Sequence, residues 1–370
     1  MKKKLFLLLC VSFHFLLCNS QTDNCETTIL YLLPFHLNEG FIPNTSFKSR
    51  VEIEQVRPFE MMGFWIGAKM ALQEYENSDK KINVIVRDAV TDKYALRKIL
   101  NDTSLMEKVN LIVGPVYGSL FSEAAEFAVN HNIMIINPFS TRFDFVEKNP
   151  NVYKLVPPLI SRPEKLAEHF LAQPEEFNVI LWGDSTVSIE LQAYKYFFNE
   201  NNIKFKEVHT LTIPQNITKT NLIIAFFDQP ERVIHGVHTL INQEEEYNKI
   251  VVVPEKWLSI TELTEDFYNL PNLYFFTNYF VDENCERVKL FQSDYTFYYE
   301  APADLSDYSY QGYDITRYFI DLYFSDFNHE EVQFQPFSYR FQWERILNGG
   351  FENFKPRLIQ VEDLELREVK

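Results

Sequence analysis

Short apolar runs alternate with amphipathic segments along the first half of the chain. Continuous apolar runs flanked by polar residues predict buried strands, and they occur at 28–34, 82–87, 111–113 and 133–136. Between them, apolar residues at helical spacing predict helices at 60–77, 94–102 and 119–130. Strands that alternate with helices in this way are typical of a parallel, doubly wound sheet.

The same alternation starts again in the second half of the chain. Strands are predicted at 178–182, 221–227, 249–253 and 273–277, and helices at 164–171, 190–201 and 230–240. We therefore predict an α/β protein with two doubly wound, Rossmann-like lobes of similar connectivity.

Residues 1–20 predict a secretory signal peptide that is not part of the fold. Lysines at 2–4 precede an apolar run at 5–17 that is too short to span a bilayer, and small or polar residues follow up to Ser20. Cleavage after Ser20 would place the protein in the periplasm or otherwise outside the cytoplasm. The alternative is that this segment forms a buried N-terminal element.

Lipid attachment at Cys18 is a second possibility for the leader. Cys18 follows two leucines, as in a lipobox, but the small residue that usually precedes such a cysteine is missing. Because no later segment is long and apolar enough to cross a bilayer, we expect membrane attachment only if Cys18 is lipidated.

The composition supports a large core and excludes two classes of partner. Apolar residues make up 46% of the 370 residues, which is enough for two domains of ordinary size. Asp plus Glu number 52 against 35 for Lys plus Arg, so the formal net charge is −17. Nucleic acids and anionic lipid surfaces attract proteins of the opposite charge, so neither is expected as a partner.

Two of the four cysteines, Cys25 and Cys285, lie beyond the predicted signal peptide. In an oxidising compartment they either form a disulfide or remain free thiols, and the sequence leaves both alternatives open. The sequence has no CxxC motif, and His235 and His238 on a predicted helix have no third ligand that the sequence indicates. We therefore expect no metal and no cofactor.

Polar side chains follow several predicted strands, at the position where open α/β sheets bind ligands. These segments are 114–119, 137–141, 183–186, Asp228 and 255–257. Ser119 also begins a helix, whose free N–H groups and positive dipole end suit a carboxylate. An ordinary N-cap explains Ser119 or Ser185 taken alone, but the recurrence of the pattern in both lobes favours a ligand site.

Two segments resemble the type I periplasmic binding proteins, in the branch that binds leucine and other branched-chain amino acids. The segment 111–141 resembles that family's strand, Gly-Pro loop, helix, strand and second loop, and 309–319 resembles its later GYD helix. The resemblance extends over residues 28–364. Within the family, 341–354 is similar to envelope-associated members from Gram-negative bacteria, whose ligands are mostly unassigned.

The resemblance implies two lobes that flank a cleft and close on a ligand by a hinge motion. It places three crossings between the lobes, near 156–158, 277–278 and 328–335. Lobe 1 then comprises 26–155 and 278–327, and lobe 2 comprises 156–277 and 328–370.

The same resemblance implies which residues contact a ligand. Those matching the family's carboxylate-binding loops in lobe 1 are Tyr117, Gly118, Ser119, Ser140 and Thr141. Those matching its contacts in lobe 2 are Asp184, Ser185, Thr186 and Glu255.

Three aromatic residues depart from the family's pattern at this site. Tyr117 and Phe139 stand where amino-acid-binding members have smaller residues, and Trp257 follows Glu255 where those members have a glycine-rich loop. These departures argue against ordinary α-amino-acid recognition. The three rings either stack on a planar or sugar-like ligand or fill the cleft.

The sequence contains no motif for a nucleotide-phosphate loop, a serine nucleophile elbow or an HExxH zinc site. We therefore predict that the protein is not an enzyme and assign no catalytic residue. The expected function is capture of a small, amino-acid-like or carboxylate-bearing ligand for an ABC-type membrane permease. The alternative is a sensor or ligand-free envelope module that acts through a protein or peptidoglycan partner.

Overall fold

The structure is a computed structural model. It describes residues 26–37, 61–89, 92–172, 176–184, 188–211, 219–227, 229–241, 248–263, 266–267, 270, 272–300, 303, 308–362 and 365–369. The predicted signal peptide, Cys25, Ser185, Thr186 and Asp228 lie outside these residues. Among the described helices, none is long and apolar enough to cross a membrane.

The first part of the chain alternates strands and helices, as the apolar pattern predicts. Its strands are β1 (Glu26–Leu33), β2 (Lys81–Asp88), β3 (Leu111–Val113), β4 (Met134–Asn137) and β5 (Val152–Lys154). Its helices are α1 (Met62–Gln73), α2 (Lys93–Leu100), α3 (Thr103–Met106), α4 (Gly118–Asn130) and α5 (Asp144–Glu147).

The middle of the chain repeats the alternation. Its strands are β6 (Phe177–Trp182), β7 (Phe205–Val208), β8 (Thr220–Ala225), β9 (Lys249–Pro254) and β10 (Leu273–Thr277). Its helices are α6 (Ser161–Phe170), α7 (Ile189–Glu200) and α8 (Pro230–Ile241), and a short 3-10 helix, Glu255–Ser259, follows β9.

In the last part of the chain, the described residues add two long helices and four short strands. The helices are α9 (Glu286–Tyr299) and α10 (Tyr308–Phe324). The strands are β11 (Trp343–Arg345), β12 (Phe351–Asn353), β13 (Arg357–Glu362) and β14 (Glu365–Glu368).

The strands of the described residues form two sheets of seven strands each. The first has the order β11-β12-β5-β4-β3-β1-β2 and the second β14-β13-β10-β9-β8-β6-β7. Strands β1 to β5 are parallel in the first sheet, as are β6 to β10 in the second, in the same doubly wound order. The predicted two-lobe α/β architecture is confirmed, with antiparallel pairs added at one edge of each sheet.

The third crossing between the lobes differs from the prediction. After β10 the chain returns to the first lobe, where Val288 and Phe291 of α9 join a buried cluster with Met70 of α1. It stays there through β12, because Phe351 pairs with Tyr153 of β5. The crossing therefore lies at 354–356, between β12 and β13, and the predicted crossing at 328–335 is wrong. Residues 328–353 belong to the first lobe.

Each sheet buries both of its faces, which explains why its central strands have continuous apolar sequences. In β1, Ile29, Tyr31 and Leu33 contribute to one buried cluster, and Leu30 and Leu32 contribute to the cluster on the opposite face. In β6, Ile180 and Trp182 lie on one face and Val179 and Leu181 on the other. Side chains of a strand alternate between faces, so each sheet separates two layers of core.

Helices α1 and α10 pack closely because glycine stands at their contact. A Cβ atom on Gly67 would lie 1.7 Å from the Ser309 carbonyl oxygen, and one on Gly312 would lie 1.9 Å from the Phe64 carbonyl oxygen. Any larger residue at either position would separate the two helices. Their close approach holds α10 against the first sheet. There the hydroxyl groups of Tyr31 and Thr316 form a buried hydrogen bond, with 2.7 Å between the two oxygen atoms.

A buried ion pair joins two strands of the first lobe next to its crossings. Lys154 of β5 and Glu352 of β12 are paired in the sheet, and their side-chain nitrogen and oxygen atoms lie 2.7 Å apart. The two side chains are only 1% and 2% exposed. Burial lowers the pKa of the Lys154 ammonium, and the Glu352 carboxylate acts against that shift.

A buried carboxylate in α10 shapes the loop after that helix. Asp314 is fully buried and accepts hydrogen bonds from the backbone N–H groups of Phe337, Ser338 and Tyr339, and from the Ser338 hydroxyl. Burial raises the pKa of Asp314 to about 6, while these hydrogen bonds lower it. All four contacts are donors to the carboxyl oxygens, so they favour its ionised form.

Candidate functional site

The loop after β3 leads directly into α4 at the carboxyl edge of the first sheet. Tyr117 is the N-cap residue of α4 and makes no side-chain cap hydrogen bond. Ser119 is the second residue of the helix and is exposed. It is therefore not the N-cap, which was the alternative explanation of this serine. Helix α4 therefore presents N–H groups and the Ser119 hydroxyl at this edge.

The loop after β4 lies beside the start of α4. The buried side chain of Asn137 shapes this loop, because its Oδ1 atom accepts hydrogen bonds from the Phe139 and Ser140 N–H groups at 3.1 and 2.6 Å. Ser140 is half-buried and its hydroxyl oxygen accepts from the Arg142 N–H group at 3.1 Å, whereas Thr141 is exposed. The predicted hydroxyl groups of lobe 1 therefore lie on two adjoining loops.

Phe139 packs mainly against its own lobe. Its ring meets the rings of Phe64 and Tyr308 edge to face, with centroids 6.1 and 5.4 Å apart. The side chain is half-buried, so only part of the ring can reach a ligand. This arrangement supports the interpretation in which Phe139 fills space at the site.

A cation that was not predicted from the sequence, Arg142, also lies at this edge. A Cβ atom on Gly118 would lie 3.8 Å from Nη1 of Arg142 and 3.2 Å from the ring of Phe145, so the guanidinium group lies beside the first turn of α4. It stacks on the Phe145 ring at 4.4 Å and is paired with Asp144 through Nε at 2.9 Å. In the sequence, only its position immediately after Ser140 and Thr141 indicates that Arg142 belongs to the site.

Tyr117 contacts His36, a second residue that was not predicted from the sequence. Its hydroxyl lies 3.2 Å from Nε2 of His36, which follows β1 and is buried. Asp88, the last residue of β2, accepts hydrogen bonds from the backbone N–H groups of Phe35, His36 and Leu37. The carboxyl ends of β1, β2 and β3 thus form one connected polar layer.

Asp184 follows β6 at the carboxyl edge of the second sheet. It is half-buried and lines a cavity of about 280 Å³ together with Arg232 and Lys256. Arg232 stacks on the ring of Phe227 at 4.8 Å. The neighbouring Ser188 caps α7 by accepting a hydrogen bond from Leu191 N–H at 3.1 Å. Ser185 and Thr186, predicted beside Asp184, lie outside the described residues.

Glu255 lies at the same edge and makes a defined contact. The Thr277 hydroxyl lies 2.7 Å from its Oε1 atom and 2.9 Å from the Tyr279 carbonyl oxygen. The Glu255 side chain reaches solvent, but its carboxyl group is partly buried, and this burial raises its pKa. The hydrogen bond from Thr277 and the positive charge of Arg162 lower the pKa and so oppose this shift. Arg162 itself pairs with Glu190 at 2.8 Å.

Trp257 is not a ligand contact, in contrast to the prediction. Its side chain is 0% exposed, and its Nε1–H group donates a 2.6 Å hydrogen bond to the Phe227 carbonyl oxygen. The ring packs against Trp182, Phe227 and Phe267 in the core of the second lobe. The 3-10 helix after β9 turns this residue inward, where it stabilises the fold.

Replacing Trp257 with Phe is expected to lower the free energy of unfolding by about 1–3 kcal/mol, because the buried Phe227 carbonyl loses its donor. Urea unfolding followed by circular dichroism measures this effect. Trp65→Phe is the control, since Trp65 is only partly buried and meets Tyr31 edge to face. An equal or larger loss in the control would argue against a core role for Trp257.

The two lobes thus present different chemistry at their carboxyl edges. The first offers hydroxyl groups, the start of α4 and Arg142, which together suit an anionic group. The second offers the carboxylates of Asp184 and Glu255 beside cations. Among the described residues, no group of three or more His, Cys, Asp or Glu side chains is arranged to hold a metal ion.

Comparison with known proteins identifies the fold. No protein-family model matches the sequence, and no curated protein matches it significantly. Among solved structures, an ABC transporter substrate-binding protein from Desulfitobacterium hafniense in complex with Leu is similar, with 14% identity and a TM-score of 0.53. The similarity covers 93% of this chain and 100% of that one.

Two further structures show the same architecture. A branched-chain amino acid ABC transporter periplasmic ligand-binding protein from Burkholderia xenovorans has 8% identity and a TM-score of 0.55 over 93% of this chain and 94% of that one. LpoA from Haemophilus influenzae has 12% identity and a TM-score of 0.56, over 93% of this chain but 59% of LpoA. The chain has the type I periplasmic binding protein fold, as found in substrate-binding proteins for leucine and other branched-chain amino acids.

Proposed function

We propose that the protein is an extracytoplasmic solute-binding protein that captures a small, carboxylate-bearing ligand between its two lobes. The observation that carries this proposal is the first-lobe site, where Ser119 and Thr141 are exposed and the Arg142 guanidinium lies beside the start of α4. Helix N–H groups, hydroxyl groups and a guanidinium group are all donors to an anion. The similarity to a substrate-binding protein in complex with Leu supports this interpretation.

Closure of the lobes would bring the second-lobe residues onto the same ligand. Asp184 and Glu255 are the acceptors at that edge, and a ligand amino group is the natural counterpart for them. The protein would then deliver its ligand to an ABC-type permease, after export directed by residues 1–20 and with membrane attachment only if Cys18 is lipidated.

The test begins with a thermal-shift screen against amino acids, short peptides, sugars, nucleobases and muropeptide fragments. A ligand at 100 times its Kd adds about 2.7 kcal/mol of stability, which raises the melting temperature. For any ligand found, Ser119→Ala combined with Thr141→Ala is expected to weaken binding by about 1–3 kcal/mol, measured by titration calorimetry.

A matched control replaces one serine and one threonine elsewhere. Ser122 and Thr239 each donate to a carbonyl oxygen in their own helix, at 3.5 and 2.8 Å. Ser122→Ala with Thr239→Ala should leave the affinity unchanged. If the Ser119/Thr141 double variant binds as tightly as the parent protein, the first-lobe site is assigned to the wrong residues.

A second candidate function is a ligand-free envelope module that acts through a partner. The packing of Phe139 against Phe64 and Tyr308 and the contact of Tyr117 with His36 favour it, because these rings occupy space at the site. The likeness to part of LpoA supports it as well. A screen without any thermal shift, combined with capture of an envelope protein or peptidoglycan, would favour this function over solute capture.

A further inference from the structure

A second cavity lies on the side of the molecule where the chain crosses between the lobes. We call it the hinge pocket, and its volume is about 720 Å³. Its lining includes Arg287, Phe337, Arg340, Trp343, Lys355 and Arg357. Lys355 belongs to the third crossing, at 354–356, and Arg357 begins the second sheet, so both lobes contribute to the pocket. Of the predicted ligand-binding residues that the structure describes, none lines it.

Aromatic rings form an apolar wall of the hinge pocket. Phe341 and Trp343 are stacked, with centroids 5.5 Å apart and planes inclined by 17°. Trp343 is anchored by its Nε1–H group, which donates to the Tyr318 hydroxyl oxygen at 2.7 Å. The wall is therefore held in one orientation and can receive a flat apolar group without rearrangement.

The charged side chains of the hinge pocket are mainly cationic. Arg340 and Arg357 share the carboxylate of Glu368, each with a 2.7 Å contact. Arg287 stacks on the Phe337 ring at 4.8 Å, and neither Arg287 nor Lys355 has a carboxylate partner among the described residues. The carboxylate that lines the pocket is Asp282.

This local charge contrasts with the whole chain, whose formal net charge is −17. An acidic protein that gathers four cationic side chains around one cavity creates a local site for an anion. The volume lies within the range of small-molecule pockets, of the order of 300–1,000 Å³.

We propose that the hinge pocket binds a small anionic molecule with a flat apolar body, of which an aryl carboxylate is the simplest example. The apolar body lies against Phe341 and Trp343, and the anionic group is bound by Arg287 and Lys355. This site is separate from the cleft between the carboxyl edges of the two sheets, and it goes beyond the proposed function.

The probe for this site is 2-naphthoate, with the neutral 2-naphthamide as its chemical control. Titration calorimetry on the purified protein is expected to show binding of the naphthoate and at least tenfold weaker binding of the amide. Cys285 lines the pocket and forms no disulfide among the described residues, so the bound naphthoate should also slow its alkylation by N-ethylmaleimide. Peptide mass spectrometry follows the alkylation of Cys285 separately from that of other cysteines.

Arg287→Gln combined with Lys355→Gln is expected to weaken naphthoate binding at least tenfold. Arg345→Gln is the matched control, because Arg345 also stacks on a phenylalanine ring, at 4.9 Å from Phe351, but does not line the pocket. Circular dichroism verifies that all variants remain folded. The Ser119/Thr141 double variant should bind naphthoate like the parent protein, which distinguishes this site from the cleft.

Four results would overturn the proposal, and three of them come from the comparisons with controls. They are equal binding of naphthoate and naphthamide, unchanged alkylation of Cys285 at saturating naphthoate, and equal affinity of the Arg287/Lys355 double variant and the Arg345 control. Absence of any heat of binding at millimolar naphthoate, together with unprotected Cys285, would also refute it.

Discussion

Lys154→Met is expected to lower the free energy of unfolding by about 3–5 kcal/mol, the cost of removing one partner from a buried ion pair. Methionine keeps the length and apolar stem of lysine but leaves the Glu352 carboxylate in a site where it is 2% exposed. The Val156 carbonyl oxygen, which also accepts a hydrogen bond from Lys154, loses its donor as well. Urea unfolding measures the loss.

The double variant Lys154→Met with Glu352→Leu separates the charge effect from the packing effect. Removing both charges together abolishes the unpaired carboxylate, so most of the stability should return. Lys148→Met is the surface control, since Lys148 is exposed, and its effect should stay within about 0.5 kcal/mol. If the double variant is as unstable as Lys154→Met alone, an unpaired charge is not the cause.

Asp314→Asn is expected to lower the free energy of unfolding by about 1–3 kcal/mol, because at least one buried donor loses its acceptor. Phe337 N–H donates to one carboxylate oxygen, and Ser338 and Tyr339 donate to the other. An asparagine has one acceptor oxygen, so its NH₂ group must face a donor on one side.

Thermal unfolding at pH 7 measures the effect of Asp314→Asn, and Asp294→Asn is its control. Asp294 is an exposed residue of α9, and its substitution should change stability by less than about 0.5 kcal/mol. Equal melting temperatures for the two variants would show that the loop at 337–339 does not depend on the carboxylate.

The central strands could be predicted from the sequence because they are buried on both faces. The runs at 111–113 and 273–277 coincide with β3 and β10. Three of the missed strands have mixed sequences: β7 reads FKEV, β11 reads WER and β14 reads ELRE. They lie at sheet edges, where charged residues prevent further pairing and also remove the apolar signal. The third crossing was misplaced because β11 and β12 were not recognised.

The candidate site was predicted in part. Ser119, Ser140 and Thr141 could be found because strand ends mark the ligand edge of an α/β sheet. Trp257 was misassigned because proximity in sequence to Glu255 does not tell which way a side chain turns. Arg142 and His36 were missed because only the tertiary contacts, with Phe145 and with Tyr117, place them at the site.

The position of the third crossing has a consequence for the order of folding. Strands β11 and β12 complete one edge of the first sheet, and β13 and β14 complete one edge of the second, with only 354–356 between them. Asn353 donates to the Leu155 carbonyl oxygen across a separation of 198 residues. Such distant contacts form slowly, since a long loop must close before they stabilise the chain. Both sheets are completed by the same C-terminal segment, so we expect the two lobes to reach their native state together.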